Sequence, residues 1–304
     1  MNPSLLVYCY PTYGNDLHLD SKNASVVLAP DEVPAIFLQR SHHVEVVNFC
    51  PHPTDKPLMR SKLVMKRFEE VDHSQFDLCW HMFRDPIQPE VWDLAPSLGM
   101  HFPLNRTINH VSHLRNHFKH IYLPILAKHG VGATVRPDID RKTIEWGPED
   151  WSTSVSLCGK YIRVYDYNNN RGNYPERERR SHIVVDYLDG VIGNRRYFFR
   201  VGYAAGKLLP GWIYSSLSAK LVQKSGTCDQ KTPHTIPTQF HPQLVAAFQE
   251  MGVDAAHIEG TYVDGQVKIF DVNPYPTSYG ATLHDISVAT VDAITEKWLE
   301  SGTI

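Results

Sequence analysis

Cysteine is scarce in this 304-residue chain, and the cysteines present stand far apart. Their number is odd and no two form a CxxC pair, which argues against a disulfide framework and against a zinc site built from cysteine. We therefore expect free thiols in a reducing cytoplasm. The five residues are Cys9, Cys50, Cys79, Cys158 and Cys228.

Long hydrophobic runs are also missing. No stretch approaches the roughly 20 apolar residues that span a bilayer, and the N-terminus lacks the basic segment and long apolar stretch of a secretory signal. The net charge is only −3, which gives no electrostatic case for nucleic acid or an anionic membrane. With 42% hydrophobic and 21% charged residues, the composition predicts a globular cytoplasmic protein with neither of those partners.

The most informative stretch is residues 255–276, where two strand-like runs flank the turn pair Asp264-Gly265. Asp271 and Asn273 are two positions apart, so in a strand they share one face. Glu259 lies on the run before the turn, where a hairpin brings it alongside them. A single Asp or Asn at a strand end usually caps a turn or faces water. Two carboxylates and an amide oxygen together suit magnesium.

The N-terminal region predicts alternating strands and helices. Strands are expected at 5–10, 44–49 and 76–82, a short helix at 89–98, and a long helix within 107–128. Further on, the pattern predicts strands at 160–167, 182–188, 196–201 and 208–214, and helices at 242–252 and 287–299.

Four histidines, spaced three, four and three residues apart, would share a stripe on the long helix. They form either a transition-metal site, or a polar band beside the apolar face of the helix or a contact between subunits. No carboxylate or cysteine joins them at ligand spacing, and HExxH is absent, so we favour the polar band or subunit contact over a metal site. The residues are His110, His113, His117 and His120.

The order Glu259, Asp271, Asn273 and Pro274 resembles the metal-binding pattern of the ATP-grasp superfamily, an acidic residue followed by an acid-x-Asn triplet. The resemblance implies an α+β fold with an α/β N-terminal part. Its three domains would be a pre-ATP domain at 1–128, a lid at 129–190 and an ATP- and metal-binding domain at 191–304. Further matches in chain order are Asp77, Arg84, Gly99, Asn109, Lys119 and the pair His129-Gly130.

The resemblance also implies a nucleotide site. Lys119 would contact the phosphates, as would Lys160 or Arg163 from the lid, and the hinge at 184–190 would pair with adenine through its backbone. Asp186 or Asp189 would bind the ribose. The catalytic cations would be Arg200 with Lys220 or Lys224. The implied cofactor, nucleotide, metal and catalytic residues are Lys119, Lys160, Arg163, Asp186, Tyr187, Leu188, Asp189, Arg200, Lys220, Lys224, Glu259, Asp271 and Asn273.

One segment departs from the family pattern. The loop that should cover the phosphates, residues 166–174, contains Gly172 alone instead of several glycines. Asn tolerates left-handed backbone, so a tight loop of N–H groups is still open to this sequence.

The implied activity is an ATP- and Mg²⁺-dependent ligation of a carboxylate to an amine through an acylphosphate. The substrates would be small molecules or peptides, amino acids or peptides by family habit, and a homodimer is open. The alternatives are a small-molecule kinase, a non-catalytic nucleotide-binding protein, and a zinc-dependent hydrolase that uses the histidine stripe.

Overall fold

The structure of the protein is a computed structural model, which describes residues 4–10, 32–40, 42–48, 65–66, 71–83, 100–139, 149–150, 155–158, 160–165, 181–217, 230–274 and 281–300. The strands are β1 (Ser4–Tyr10), β2 (His43–Asn48), β3 (Met65–Lys66), β4 (Leu78–Phe83), β5 (Thr107–Ile108), β6 (Glu149–Asp150), β7 (Val155–Cys158), β8 (Tyr161–Tyr165), β9 (Ser181–Asp186), β10 (Val191–Ile192), β11 (Arg195–Ala204), β12 (Lys207–Ser216), β13 (Gln230–His234), β14 (Ala255–Val263) and β15 (Gln266–Asn273). The α-helices are α1 (Glu32–Gln39), α2 (Lys119–Lys128), α3 (His241–Met251) and α4 (Ala281–Ile294).

The N-terminal strands form a parallel sheet in the order β3-β2-β1-β4-β5. Its central strand β1 carries the continuous apolar run expected of a parallel strand buried on both faces, and its residues 5–8 are fully buried. One face packs on α1 and α4, where Val7, Trp80, Phe37 and Ile294 belong to one hydrophobic cluster. The three strands predicted here are confirmed, with ends shifted by one or two residues.

Two antiparallel sheets follow. The smaller has the order β6-β7-β8-β9, and the larger has the order β13-β12-β11-β14-β15, with β10 paired to β11. One face of the larger sheet is apolar, and there Phe199, Ile258 and Val272 pack with Leu244 and Phe248 of α3. Because side chains alternate along a strand, the residues between them face the other way. That second face packs on α4 at Ala204 and Ala255, and its remaining part, called the polar face below, carries charged side chains.

The predicted C-terminal hairpin is confirmed. Asp264 and Gly265 have φ values of 50° and 74°, the pair of positive angles that a two-residue hairpin turn requires.

The predicted helix at 242–252 is α3, which ends at Gly252 in the left-handed conformation. The last helix begins earlier than predicted, at Ala281, and passes into a π-helical turn at Thr295–Glu300. The predicted helix at 89–98 lies outside the described residues.

The long helix predicted within 107–128 is wrong. Residues 107–108 form β5 instead, Val111–His117 is a 3₁₀ helix, and α2 starts only at Lys119. Phe118, between the two helices, has extended backbone angles (φ −75°, ψ 137°), which no continuous helix can accommodate. The apolar period of this stretch therefore spans two short helices separated by Phe118.

Asn109 joins the N-terminal sheet to the C-terminal hairpin. Its φ is 53°, and Asn is among the residues that adopt this region at lowest cost. Its amide Oδ1 accepts hydrogen bonds from the N–H groups of Asp254 (2.8 Å) and Ala255 (3.0 Å). Its Nδ2 donates to the carbonyls of Ala255 (2.8 Å) and Pro274 (2.9 Å), and its N–H donates to Asp254 Oδ2. Because it is buried, water cannot replace these bonds.

We expect Asn109→Ala to lower the free energy of unfolding by about 3 kcal/mol, since buried partners are left unsatisfied. Asn109→Gly, which removes the amide but not the freedom to adopt positive φ, should lose nearly as much. The matched control is Asn116→Ala, whose amide donates one bond, to the Met251 carbonyl, and which should cost about 1 kcal/mol. Urea unfolding measures the stability of all three variants. Equal losses of unfolding free energy in Asn109→Ala and Asn116→Ala would contradict the role of Asn109 as the link between the sheet and the hairpin.

No helix in the described ranges is both long and apolar enough to cross a bilayer. Cys79 is a buried free thiol.

Candidate nucleotide and metal site

The polar face of the larger sheet holds a row of charged residues across three neighbouring strands. Arg200 of β11 lies directly opposite Glu259 of β14, which lies directly opposite Asp271 of β15. Residues in such register have Cβ atoms roughly 5 Å apart on one face. In the next row, Asn273 lies opposite His257. The structure therefore places Glu259 beside Asp271, with Asn273 in the next row. The hairpin alone would pair Glu259 with Phe270, and a register shift between Glu259 and Gly260 brings Asp271 opposite it instead.

Glu259 is paired with Arg200. The Arg200 Nε lies 2.8 Å from Glu259 Oε1, and both side chains are partly buried. Burial, the largest influence, raises the pKa of the Glu259 carboxyl above its usual value, while Arg200 opposes the rise. A second cation near this carboxylate would favour its charged form further.

Asp271 is held by two residues of α2. Lys119 Nζ donates to Asp271 Oδ1 at 2.6 Å, and the Tyr122 hydroxyl donates to the same oxygen at 3.0 Å. Burial alone would raise the pKa of Asp271, but Lys119 and these two hydrogen bonds bring it below its usual range. Lys119 and Tyr122 are three residues apart, so they share one face of the helix.

The chain after α2 is attached to the outer edge of β15. The Ile269 N–H donates to the Val131 carbonyl at 2.7 Å, and Lys268 Nζ donates to the Gly130 carbonyl at 2.7 Å. These contacts cover an edge strand whose backbone would otherwise be open. They also fix α2 where its first turn reaches Asp271.

Two residues of this site were missed by sequence reasoning, Tyr122 and His257. Tyr122 is three positions after Lys119, a spacing that would have indicated a shared face. His257 is two positions before Glu259 and therefore on the same strand face. It is buried, and its Nε2 has no hydrogen-bond partner among the described residues. Burial, with a smaller contribution from Arg200, lowers the pKa of His257 to about 3.

The polar face continues as an aromatic shelf beyond Arg200. The rings of Phe198 and Tyr214 are stacked with centroids 4.8 Å apart, and the Arg200 guanidinium carbon lies 5.8 and 5.9 Å from the two centroids. Lys231 Nζ lies 3.8 Å from the ring centroid of Trp212. Cations over rings at these distances are stabilised by the ring quadrupole. The rings of Phe198 and Tyr214 therefore stabilise the positive charge of Arg200 beside Glu259.

The two lid candidates occupy different positions in the smaller sheet. Ile162, Val164 and Val185 of this sheet pack in the same hydrophobic cluster as the apolar side of the larger sheet. Arg163 alternates with Ile162 and Val164 and therefore lies on the opposite face, in register with Val184. Lys160 is an exposed turn residue before β8, and its Nζ lies 5.3 Å from the ring centroid of Tyr161.

The segment predicted as the adenine hinge lies at the end of β9, and two of its backbone N–H groups are already hydrogen-bonded within the protein. The N–H groups of Asp186 and Tyr187 donate to the carbonyls of Thr134 (2.9 Å) and Lys160 (2.7 Å), and Leu188 belongs to the core cluster. Asp189 is ion-paired with Arg196 at 2.9 Å. Asp186 Oδ1 lies 3.8 Å from Arg136 Nη1.

Several predicted features lie outside the described residues. These are Lys220, Lys224, Arg84, Gly99, the glycine-poor loop at 166–174 and the loop after Pro274.

The histidines predicted as one stripe do not form one. His110 is the N-cap of the 3₁₀ helix, His113 and His117 lie within it, and His120 follows the break at Phe118. Among the described residues, no group of three or more His, Cys, Asp or Glu side chains is arranged to bind a metal ion. This removes the structural basis for a zinc hydrolase built on these four residues.

The donor set on the polar face fits magnesium better than zinc. Two carboxylates and an amide oxygen are hard ligands, and a magnesium site normally keeps positions for water and phosphate oxygens instead of forming an all-protein cage. Glu259, Asp271 and Asn273 would supply two acidic ligands and one neutral one.

The fold defined by these sheets is the ATP-grasp fold, α+β with a parallel α/β N-terminal part. No family model matches the sequence, and no curated protein matches it either. The likeness is structural.

Three solved structures illustrate it. The macrocyclase MdnC of Microcystis aeruginosa MRC, bound with the precursor peptide MdnA, matches with a TM-score of 0.56 at 10% identity, over 98% of this chain and 100% of that one. The ATP-grasp ligase PsnB, complexed with a precursor variant, Mg and ADP, gives 0.53 at 11% identity, over 98% and 99%. The D-alanine–D-alanine ligase of Bacillus anthracis, complexed with ATP, gives 0.51 at 14% identity, over 98% of each chain.

Proposed function

We propose that this protein is an ATP- and Mg²⁺-dependent ligase that joins a carboxylate to an amine, on an amino acid or a peptide, through an acylphosphate. The observation that carries the proposal is the row of alternating charge formed by Arg200, Glu259, Asp271 and Lys119. It lies on the polar face of the central sheet of an ATP-grasp fold. The ligases with this fold include two that were solved with precursor peptides, which supports a peptide substrate.

The residues of the row have distinct tasks in this proposal. Glu259 and Asp271 of the row, with Asn273 beside them, would hold magnesium, which would neutralise negative charge on the phosphates. Arg200 and Lys119 position the phosphates and offset the negative charge that grows on the transferred group. Alignment and electrostatics suffice for this reaction, so no acid–base pair is required. Lys220 or Lys224 would add a further cation.

The nucleotide base is proposed to lie against the hinge. Since the N–H groups of Asp186 and Tyr187 are already engaged, base pairing would fall to the backbone of Leu188 and Asp189. Asp186 or Asp189 would bind the ribose. Lys160 or Arg163 would add a cation from the lid. The three domains, at 1–128, 129–190 and 191–304, are proposed with the same limits as before.

Nucleotide binding gives the direct test. We expect Mg²⁺–ATP at a hundred times its dissociation constant to stabilise the protein by about 2.7 kcal/mol, which raises the thermal midpoint by several degrees. Mg²⁺ alone, ATP with EDTA, and Mg²⁺–GTP are the controls. The absence of any metal-dependent, adenine-selective shift would contradict the proposal.

A screen of acids and amines then separates ligation from its alternatives. ADP with an amide product supports the ligase, and a phosphorylated product without amide identifies a small-molecule kinase. Tight binding with no turnover identifies the non-catalytic protein that the glycine-poor loop at 166–174 suggests.

A further inference from the structure

Asp271 Oδ1 accepts hydrogen bonds from two donors of very different character. Lys119 is charged, ends in a flexible four-carbon chain, and retains 21% of its side-chain exposure. Tyr122 is neutral, and only 1% of its surface is exposed. Its hydroxyl also lies 3.5 Å from the Val272 N–H, so it bridges the side chain of one β15 residue and the backbone of the next.

The two donors differ in their compatibility with a cation at Asp271. An ammonium group on Oδ1 repels a divalent cation bound to the same carboxylate, and this repulsion is strong in a partly buried site. A tyrosine hydroxyl carries no such penalty. Outer hydrogen bonds of this kind orient a ligating carboxylate and are part of a metal site.

The geometry allows Lys119 to leave and keeps Tyr122 in place. Lys119 is the first residue of α2, directly after the extended Phe118, and it reaches Asp271 from the end of the helix. Tyr122 lies inside α2 and belongs to the hydrophobic cluster with Leu123 and Leu126. The ring is therefore fixed by packing, whereas the lysine is held mainly by its ion pair.

We propose that Tyr122 is the positioning residue of Asp271, and that Lys119 exchanges between Asp271 and the nucleotide phosphates. The inference rests on the proposed function, in which Asp271 binds the metal. Without nucleotide, the Lys119 ammonium stays on Asp271 and disfavours metal binding. Once the phosphates are bound, the ammonium pairs with them and metal binding at Asp271 becomes easier. Metal and ATP binding become cooperative by an exchange of ion-pair partners, because each ligand favours the same arrangement.

The test is direct Mn²⁺ binding to the purified full chain, followed by the electron paramagnetic resonance of free Mn²⁺. It is done with and without the ATP analogue AMPPNP, at pH 8 so that protons compete weakly for the carboxylate. In the unmodified protein, AMPPNP should tighten Mn²⁺ binding by at least about tenfold. Lys119→Met should bind Mn²⁺ alone about tenfold more tightly than the unmodified protein, and AMPPNP should then tighten binding by a smaller factor than in the unmodified protein.

Tyr122→Phe removes one hydroxyl and leaves the packing in place. It should weaken Mn²⁺ binding 10- to 100-fold, roughly the cost of losing an outer-sphere partner, both with and without AMPPNP. The matched controls are Lys128→Met, an exposed lysine of α2 paired with Glu250, and Tyr203→Phe, a buried tyrosine packed on Phe248. Both should bind Mn²⁺ as the unmodified protein does, and circular dichroism confirms that each variant is folded.

Two results would overturn the inference while leaving the proposed function standing. The first is unchanged or weaker binding of Mn²⁺ alone by Lys119→Met, and the second is unchanged Mn²⁺ binding by Tyr122→Phe. Both apply when the unmodified protein binds Mn²⁺ in the presence of AMPPNP. Failure of the unmodified protein to bind Mn²⁺ with AMPPNP, or full binding by Asp271→Asn, overturns both proposals.

Discussion

Asp271→Asn is expected to lower magnesium-dependent turnover by about 1000-fold or more, which corresponds to about 4 kcal/mol of transition-state stabilisation. The substitution removes the charge that would bind the metal and deprives Lys119 of its partner at 2.6 Å. The side chain keeps its size and an oxygen that can accept from Tyr122. The protein should therefore stay folded, and the loss should fall on the metal and the chemistry.

The control for this substitution lies on the same hairpin. Asp264 occupies the turn at φ 50°, a conformation that Asn tolerates as readily as Asp. Asp264→Asn should therefore keep full turnover and unchanged stability. Turnover is measured as ADP release in saturating Mg²⁺–ATP with an accepted acid and amine. Activity retained by Asp271→Asn would refute its role as a metal ligand.

Acid should destabilise the protein steeply below pH 6.5. Three buried histidines, His81, His117 and His257, have their pKa lowered to about 3, chiefly by burial. Unfolding returns each to its usual pKa near 6.5, so between these values the unfolded chain binds more protons than the folded one. Stability is thus complete above pH 6.5 and falls as the pH drops towards 3. The slope reaches about 1.4 kcal/mol per pH unit for each histidine, or about 4 for all three.

The contribution of a single histidine can be isolated. In the described part of the chain neither ring nitrogen of His117 has a hydrogen-bond partner, so His117→Leu removes a titrating group without breaking a bond. The pH slope of the unfolding free energy should then fall by about a third. An unaltered pH slope in His117→Leu would contradict the lowered pKa of His117 as a source of the acid sensitivity.

The C-terminal hairpin was predictable because its determinants are local. A turn pair that tolerates positive φ predicted the hairpin, and a period of two placed Asp271 and Asn273 on one face. The alignment of Glu259 with Asp271 was not predictable in this way, because it depends on a register shift between Glu259 and Gly260. The strands of the parallel sheet were predictable for the same reason, since an apolar run such as residues 5–8 fits a strand buried on both faces.

The features that sequence could not provide depend on tertiary contacts. The extended backbone at Phe118 separates the 3₁₀ helix from α2, and the pairing of residues 107–108 with β4 withdraws them from any helix. Helical period alone does not contain that information. The contact between Tyr122 and Asp271 joins residues 149 positions apart. The face that carries Arg163 became apparent only from the register of β8 with β9.

The position of α4 has a consequence for synthesis on the ribosome. Val291, Ala293, Ile294 and Trp298 complete the hydrophobic cluster under the N-terminal sheet. The strands of the N-terminal sheet therefore expose an apolar surface until α4 has emerged from the ribosome. Until then the nascent segment is a natural client for chaperones that shield hydrophobic surface.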